Sequence, residues 1–251
     1  MRRIALFAHF DAQNEVKRFI LHHLDCLRTV CDSVVFVSNS PIDATQAAKL
    51  EGRCDRMLVR ENTGIDFSMW QHGLATITLT DWDELVLTNS SLFGPLFPLK
   101  EAFERMQASD ADFWGMTENV AIKRHVQSYF LVFRRKALQC DGFGAFWRSI
   151  LPYRDKFQTI RSYEVGLTTY LAEQGLRHAT FVPGDSVKPR WPHKQVHDVT
   201  LSRPLDLLQA QMPYVKVSLL RDNPKGVDLK PVYRAMDAAG YDRTMIEFDR
   251  T

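Results

Sequence analysis

Residues 60–67 read Arg60-Glu61-Asn62-Thr63-Gly64-Ile65-Asp66-Phe67 and follow directly on an apolar, β-favouring run. A second polar, glycine-containing stretch lies at the end of another such run and reads Leu87-Thr88-Asn89-Ser90-Ser91-Leu92-Phe93-Gly94-Pro95. In an open α/β sheet, ligands bind beyond the carboxyl ends of the strands. Two polar strand ends in succession therefore predict one binding crevice that is built from neighbouring loops of an α/β sheet.

Apolar runs alternate with segments of helical spacing on both sides of these two stretches. The predicted strands of the first half are Ile4–Ala8, Val34–Val37, Met57–Val59 and Glu84–Leu87. The predicted helices cover residues 16–27, Ala44–Leu50 and Phe67–Leu74. This alternation indicates an α/β fold, a doubly wound, mainly parallel mixed sheet that is flanked by helices.

The second half of the chain is less regular. The predicted strands are Asp112–Met116, Ser128–Phe133, His178–Val182 and Tyr214–Leu220, and the predicted helices are Phe143–Leu151, Tyr163–Leu171 and Val227–Ala239. Ser162 is the expected N-cap of the second of these helices, and Gly175 is the expected C′ residue. We predict a main domain over residues 1–186 and a C-terminal extension over residues 187–251 that packs on it, with a basic, proline-rich first part covering the site.

Composition narrows the classes of partner. The 251 residues are 45% hydrophobic and 25% charged, as in ordinary globular proteins, and 32 basic side chains against 30 acidic ones give a net charge of +2. This balance disfavours nucleic acid as the main partner. No stretch approaches the roughly 20 apolar residues of a membrane span. We expect a cytoplasmic protein with at most peripheral contact at the inner face of the membrane.

Five motifs, taken in order, resemble one family over nearly the whole chain. They are Ala8–Asp11, Arg60–Phe67, Thr88–Pro95, His125–Phe130 and Leu220–Pro224. Together they resemble the rhamnan synthesis F family, which is associated with bacterial surface polysaccharides. The resemblance implies a GT-A-like, Rossmann-type fold. It also implies transfer of L-rhamnose or a related sugar, with dTDP-rhamnose as the favoured donor, onto a growing rhamnan or O-antigen glycan whose acceptor end is lipid-linked.

A nucleotide-sugar needs polar groups for its base and ribose, groups for its diphosphate, and a base for the acceptor hydroxyl. The predicted donor-binding residues follow the first four strands, and they are His9, Asp11, Asn39, Arg60, Asn62, Gly64, Asp66, Asn89, Ser90 and Ser91. Asp11 is alternatively a turn residue, and Asp66 alternatively caps a helix. Arg60 either pairs with a phosphate through its planar fork or with Glu61 or Asp55.

The fourth-strand end departs from the pattern that the resemblance implies. GT-A enzymes usually carry Asp-x-Asp there to hold a divalent cation, and this chain has Asn89-Ser90-Ser91. Amide and hydroxyl groups are poor sole anchors for Mg²⁺ or Mn²⁺. We therefore assign no metal ligand and no certain cofactor. Either the enzyme is impaired or transfer is metal-independent, with the leaving diphosphate neutralised by Lys188, Arg190, His193 and His197, which alternatively form a solvated basic loop.

Glu164 is the predicted general base, because Glu164-Val165-Gly166-Leu167 resembles the acidic helix start that carries the base of inverting GT-A enzymes. Alternatively, it stabilises a helix N-terminus through the macrodipole. The predicted acceptor-side residues are His125, Gln127, Ser128 and Trp191. Two other interpretations of the whole chain stay open: a transferase of the same fold with another sugar donor, and a catalytically silent glycan-binding or scaffold subunit.

Overall fold

The computed structural model of the protein describes residues 1–184 and 198–248. Its strands are β1 Arg3–His9, β2 Ser33–Ser38, β3 Arg56–Val59, β4 Glu84–Asn89, β5 Leu92–Phe93, β6 Phe113–Gly115, β7 Glu118–Asn119, β8 His125–Val126, β9 Phe130–Arg134, β10 His178–Thr180 and β11 Val215–Lys216. Seven of them form one sheet in the order β10-β6-β9-β4-β1-β2-β3, and β11–β5 and β7–β8 form two small antiparallel ribbons. In the large sheet only β9 runs against its neighbours.

Helices connect these strands and cover both faces of the sheet. They are α1 Arg18–Arg28, α2 Ala44–Leu50, α3 Asp66–Leu74, α4 Leu99–Gln107, α5 Arg135–Leu138, α6 Asp141–Arg148, α7 Lys156–Thr159, α8 Val165–Glu173, α9 Val199–Ser202, α10 Pro204–Gln209, α11 Val217–Asp222 and α12 Lys230–Ala238. A π-helical turn, Ile160–Glu164, joins α7 to α8, and 3-10 turns cover Leu79–Asp81 and Arg243–Met245. The predicted architecture, a mainly parallel mixed sheet flanked by helices, is confirmed.

The side-chain period of the central strand divides the core into two layers. Every residue of β1 is buried; Ala5 and Phe7 point to one layer, and Ile4, Leu6 and Ala8 point to the other. The apolar stripe of α1 packs in the first layer and that of α3 in the second. The first layer also contains residues of the predicted C-terminal extension, namely Leu207, Leu208, Met212, Tyr214, Val232 and Met236. Throughout residues 1–184 and 198–248, each helix is too short or too polar to cross a membrane.

Two local predictions are wrong, and one helix of nine residues has no counterpart among the predicted elements. The predicted strand Tyr214–Leu220 is a strand only at Val215–Lys216, because its partner β5 has two residues and the chain then turns into α11. Ser162 is not an N-cap, because the helical segment begins at Lys156, where the Asp155 side chain accepts from the Gln158 amide. Helix α4 is absent from the predicted elements. Gly175, with φ +79°, ends α8 as expected.

Candidate functional site

The parallel strands β1 to β4 end at one edge of the sheet. Ala8 pairs with Asn89, and His9 pairs with Ser38, which in turn pairs with Val59. The loops after these strands surround a cavity that we call the strand-end cleft. Seven of the predicted donor-binding residues line it, namely Asn39, Asn62, Gly64, Asp66, Asn89, Ser90 and Ser91.

Asp66 and Asn89 are joined directly within this cleft. Asn89 Nδ2 donates to Asp66 Oδ2 at 2.6 Å, and Asn89 Oδ1 accepts from the Ser91 amide at 3.1 Å. The N-cap residue of α3 is Ile65, which has no capping side chain, and the Asp66 carboxylate connects the first turn of α3 to the end of β4. Burial raises the pKa of Asp66 to about 6, although the Asn89 hydrogen bond and the Lys156 charge lower it. The carboxylate is therefore mostly ionised at pH 7.

The turn before α3 requires glycine. Gly64 has φ +73°, and a Cβ atom on it would lie 2.2 Å from Ser68 Oγ and 3.0 Å from Pro152 Cα. The Arg60 guanidinium holds this turn, since its Nη1 donates to Asn39 Oδ1 at 3.0 Å and to the Thr63 carbonyl at 2.8 Å.

The two carboxylates considered as partners of Arg60 are Glu61 and Asp55, and neither accepts a hydrogen bond from its guanidinium. Asp55 accepts instead from Arg28 Nη1 at 2.6 Å. Arg60 itself lines a separate cavity behind the strand-end cleft, together with Trp147 and Arg148. It contacts the strand-end cleft through Asn39, and its pairing with a phosphate stays a prediction.

His9 and Asp11 lie in the β1–α1 loop and line a small neighbouring cavity rather than the strand-end cleft. The His9 ring is buried and contacts Ser38 Oγ and the Glu15 carbonyl, and burial lowers its pKa to about 4, so it is neutral. Asp11 Oδ1 accepts from two backbone amides of its own loop, and its Oδ2 pairs with Lys17 at 3.0 Å. Asp11 is thus a turn residue, the second of the two alternatives above.

A second cavity adjoins the strand-end cleft, and we call it the Glu164 pocket. His125, Gln127, Ser128 and Glu164 line it, so three predicted acceptor-side residues surround the predicted base. Glu164 Oε2 accepts from the Ser128 amide at 2.9 Å and from the Ser128 hydroxyl, and Oε1 lies 3.4 Å from His125 Nε2. Gln127 Oε1 accepts from the Thr117 hydroxyl at 2.7 Å. The two cavities share six lining residues: Ile65, Asp66, Asn89, Ser91, Lys156 and Ser218.

The contacts of His125 and Glu164 define their charges. Burial alone would raise the pKa of Glu164. Hydrogen bonds from His125 and Ser128 and the charge of Lys216 nevertheless hold this pKa at about 2. His125 Nδ1 lies 2.6 Å from the Lys123 carbonyl, which only accepts, and Nε2 faces the ionised carboxylate, so both ring nitrogens act as donors. Burial opposes the charged ring, yet the Glu164 hydrogen bond leaves the pKa of His125 raised. The pocket therefore holds a carboxylate–imidazolium pair.

The sequence predicts Glu164 at a helix start, and this prediction is wrong. Glu164 is the last residue of the π-helical turn Ile160–Glu164 inside a continuous α7–α8 segment, so the macrodipole alternative does not apply. Such turns insert an extra residue into the helical register and occur often at functional sites. The turn is followed directly by α8, whose Thr168 hydroxyl accepts from the Val126 amide of β8.

Cationic side chains also line these cavities, and sequence reasoning missed them. Arg154 and Lys156 line the strand-end cleft, as does Arg221, which forms a bidentate pair with Asp222. The one available sequence signal was Arg154-Asp155-Lys156, in which Asp155 caps α7 and Lys156 is the first residue of that helix. The cations that we had predicted for this role, Lys188, Arg190, His193 and His197, lie outside the described residues, as does Trp191.

The donor set at the end of β4 does not fit a magnesium or manganese ion. Ser90 Oγ lies 3.4 Å from the backbone nitrogen and oxygen of Phe10, and Asn89 is bonded to Asp66 and Ser91. Of the carboxylates in the described part of the chain, Asp66 is the one that lines the strand-end cleft, and one of its oxygens already accepts from Asn89. Across the described ranges 1–184 and 198–248, no group of three or more His, Cys, Asp or Glu side chains has a metal-binding arrangement. Such ions prefer several carboxylate or phosphate oxygens.

Comparisons with known proteins give one family and more distant likenesses. The sequence profile of the family described as rhamnan synthesis protein F matches residues 34–249. The chain is 27% identical over 201 residues to the virulence protein VirA of Vibrio anguillarum, and the match covers 69% of this chain and 64% of that protein. The chain therefore spans less than two thirds of this relative.

Many solved structures are similar in their backbone, and two examples show the degree of similarity. One, from Desulfovibrio desulfuricans G20, is provisionally described as a nucleotide-diphospho-sugar transferase. It matches with a TM-score of 0.41 and 18% identity over 95% of this chain and 97% of that one. The 4-diphosphocytidyl-2C-methyl-D-erythritol synthase of Anaerococcus prevotii matches with a TM-score of 0.45 and 9% identity over 84% and 97% of the two chains.

Proposed function

The chain belongs to the rhamnan synthesis protein F family, and on that premise we propose that it is an inverting glycosyltransferase. It transfers L-rhamnose from dTDP-rhamnose to a growing bacterial surface polysaccharide of the rhamnan or O-antigen type, on a lipid-linked acceptor. Family membership supports glycosyl transfer, and the sugar, the linkage and the stereochemistry are our proposal. The reaction takes place on the cytoplasmic side, where activated sugars are available, with peripheral contact at the membrane.

The observation that carries the proposal is that two cavities meet at the sheet edge. The strand-end cleft encloses about 790 Å³, within the range of about 300–1,000 Å³ that is typical of small-molecule sites. We assign it to the nucleotide-sugar and the adjoining Glu164 pocket to the acceptor. Because six residues line both cavities, the reacting atoms of the two substrates meet beside Asp66, Asn89 and Ser91.

The proposed step is a single displacement at the anomeric carbon of the donor sugar. The acceptor hydroxyl oxygen bonds to that carbon while the bond to the diphosphate oxygen breaks, and the nucleoside diphosphate leaves with the bonding electrons. The hydroxyl proton passes to a Glu164 carboxylate oxygen. One carboxylate beside the acceptor is what an inverting reaction needs, since a base must activate the hydroxyl on the face opposite the leaving group.

The low pKa of Glu164 fits a late proton transfer. A carboxylate with a pKa of about 2 is a weak base toward a free alcohol. The hydroxyl becomes acidic as its oxygen bonds to the anomeric carbon, so a weak base that is already in position accepts the proton late in the step. Ser128 fixes the orientation of the carboxylate through its amide and hydroxyl, and His125 keeps the carboxylate ionised.

Two exposed apolar side chains support a glycan as the acceptor. Ile122 is 48% exposed and Phe157 is 62% exposed, and both line the Glu164 pocket. Sugar rings present apolar C–H faces that pack on such side chains, and aromatic rings are the preferred platforms. We propose that Phe157 stacks on the acceptor sugar next to the hydroxyl that reacts.

The test compares Glu164→Gln with wild type in a transfer assay that uses dTDP-rhamnose and a rhamnan oligosaccharide. We expect turnover to fall by about 10²–10⁴-fold, the usual contribution of a positioned base, while calorimetry shows unchanged dTDP affinity. Glu104→Gln, on the exposed face of α4, is the matched control and should retain full activity. Near-normal turnover of Glu164→Gln would remove Glu164 from the mechanism.

The silent glycan-binding alternative rests on one observation, the absence of aspartate from Asn89-Ser90-Ser91. It predicts binding of the glycan without binding of any nucleotide. Titration of wild-type protein with dTDP, UDP and GDP sugars separates the alternatives. Binding and turnover with a sugar other than rhamnose would support the transferase with another donor, and failure of every donor beside intact glycan binding would support the silent subunit.

A further inference from the structure

The strand-end cleft contains more positive than negative charge. Among residues 1–184 and 198–248, three cationic side chains line it, Arg154, Lys156 and Arg221, whereas Asp66 is the one acidic lining residue. The strand ends that complete the cleft contribute only neutral groups, Asn39, Asn89, Ser90 and Ser91. A concave site with surplus positive charge attracts an anionic ligand, and its low-dielectric walls strengthen that attraction.

Two of the three cations are available for a ligand. Arg154 and Lys156 are exposed, and neither donates a hydrogen bond or forms an ion pair with any residue in the described parts of the chain. Two other basic side chains near the two cavities, Arg60 and Lys216, already have partners. Arg60 holds Asn39 and Thr63, and Lys216 pairs with Asp198 at 3.7 Å beside the Tyr129 ring.

Lys156 occupies the position where the two cavities meet. Within residues 1–184 and 198–248 it is the one cationic side chain that lines both of them. Its charge lowers the pKa of Asp66, which shows that the two groups lie within electrostatic reach. The bond that breaks in glycosyl transfer joins the sugar to the diphosphate, and it must lie at this junction if each cavity holds one substrate.

Resting on the proposed function, we infer that Arg154 and Lys156 bind the donor diphosphate and stabilise it as the leaving group without a divalent cation. Lys156 neutralises the charge that develops on the phosphate oxygen released from the sugar, and the planar fork of Arg154 binds the diphosphate in a bidentate manner. Fixed cations that face developing negative charge lower the barrier because they need no reorganisation during the step.

The test measures nucleotide affinity by calorimetry in excess EDTA at low salt. Wild type, Arg154→Gln/Lys156→Gln and Lys156→Arg are titrated with dTDP and with thymidine, and with UDP and uridine. We expect the double variant to lose about 100-fold in diphosphate affinity, about tenfold or 1.4 kcal/mol for each cation. Affinity for the nucleosides should not change, because they have no diphosphate. Lys156→Arg, which keeps the charge, should stay within a few-fold of wild type.

The matched control is Lys100→Gln/Arg234→Gln, which removes two exposed cations that line neither cavity. It should bind all four probes like wild type, which separates local binding from a change in net charge. Unchanged diphosphate affinity in the cleft double variant would overturn the inference, as would wild-type binding that requires Mn²⁺, and both results leave the proposed function intact. If wild type binds no nucleoside diphosphate under any condition, the proposed function itself fails and the inference fails with it.

Discussion

Replacing Asp66 with asparagine removes a half-buried negative charge from the strand-end cleft and keeps the shape of the side chain. The amide oxygen of the new side chain can still accept the hydrogen bond that Asn89 Nδ2 donates to the carboxylate at 2.6 Å. The substitution therefore resembles permanent protonation of Asp66. Its effect on stability follows from the pKa of that carboxyl in the folded and unfolded states.

Burial raises the pKa of Asp66 from 3.8 to about 6 on folding, so between these values the folded state binds more protons than the unfolded state. Stability contributed by this group is fully present below pH 3.8 and is lost as the pH rises through 6. A difference of that size corresponds to about 3 kcal/mol. Because the side chain is only half-buried, solvent screening reduces the expected effect to about 1–2 kcal/mol.

We expect Asp66→Asn to match wild type in the free energy of unfolding at about pH 4 and to exceed it by about 1–2 kcal/mol at about pH 7.5. Urea denaturation across this pH range measures the difference, and Asp81→Asn, at an exposed position in the Leu79–Asp81 turn, is the matched control. A difference that does not change with pH, or a loss of stability at the higher pH, would refute the reasoning. The same variant should bind dTDP at least as tightly as wild type and yet lose sugar transfer, if the ionised carboxylate accepts a donor hydroxyl.

Three further substitutions test parts of the fold and the site. Gly64→Ala should lower the free energy of unfolding by at least about 2 kcal/mol, because left-handed backbone strain adds to the clash with Ser68 Oγ. The control is Gly52→Ala, which has the same φ of +73° but no atom within 4 Å of the added Cβ, so it should show the strain alone. Equal losses in the two variants would contradict this expectation. Glu84→Gln should lower the free energy of unfolding, measured by urea denaturation, by about 3–5 kcal/mol. The reason is that the Arg3 guanidinium, 2.6 Å from Glu84 Oε2 in the wild type, loses its buried carboxylate partner. Exposed Glu101→Gln is the control, and a loss below about 1 kcal/mol in Glu84→Gln would show that the pair is dispensable. His125→Gln removes the imidazolium that lowers the pKa of Glu164, so the acid limb of the pH profile of kcat/KM should move to higher pH. An unchanged acid limb would show that His125 does not set the pKa of the base.

The parts of the fold that the sequence predicts are those in which local pattern and tertiary environment agree. Strands β1, β2 and β4 are continuous apolar runs because both of their faces are buried, so their positions and their polar ends are readable. The approach of Asp66 to Asn89 follows from the same logic, since parallel strands end at one edge. The helix α11 was not predictable in this way, because the chain leaves the extended conformation at Val217, where β11 reaches the end of its two-residue partner β5.

The site residues that sequence reasoning missed have only a weak local pattern. Lys156 is an exposed lysine at the start of α7, and the Asp155 cap before it marks a helix start without distinguishing the lysine from a solvated surface charge. Its placement depends on where the α6–α7 connection crosses the sheet edge, which is a property of the whole fold. Glu164 was identified for its resemblance to an acidic helix start, yet the π-helical turn places it within a longer helical segment.

The charge of the strand-end cleft gives a reason for the neutral residues at the end of β4. A metal that neutralises a diphosphate needs carboxylates to hold it, whereas a diphosphate that is neutralised by fixed cations does not. An aspartate at position 90 would line the same cavity as Arg154 and Lys156 and would cancel part of their charge. Asn89-Ser90-Ser91 and the two available cations are therefore consistent parts of one electrostatic arrangement. On this argument the missing aspartate indicates a different way of stabilising the leaving group, and it does not by itself indicate a lost activity.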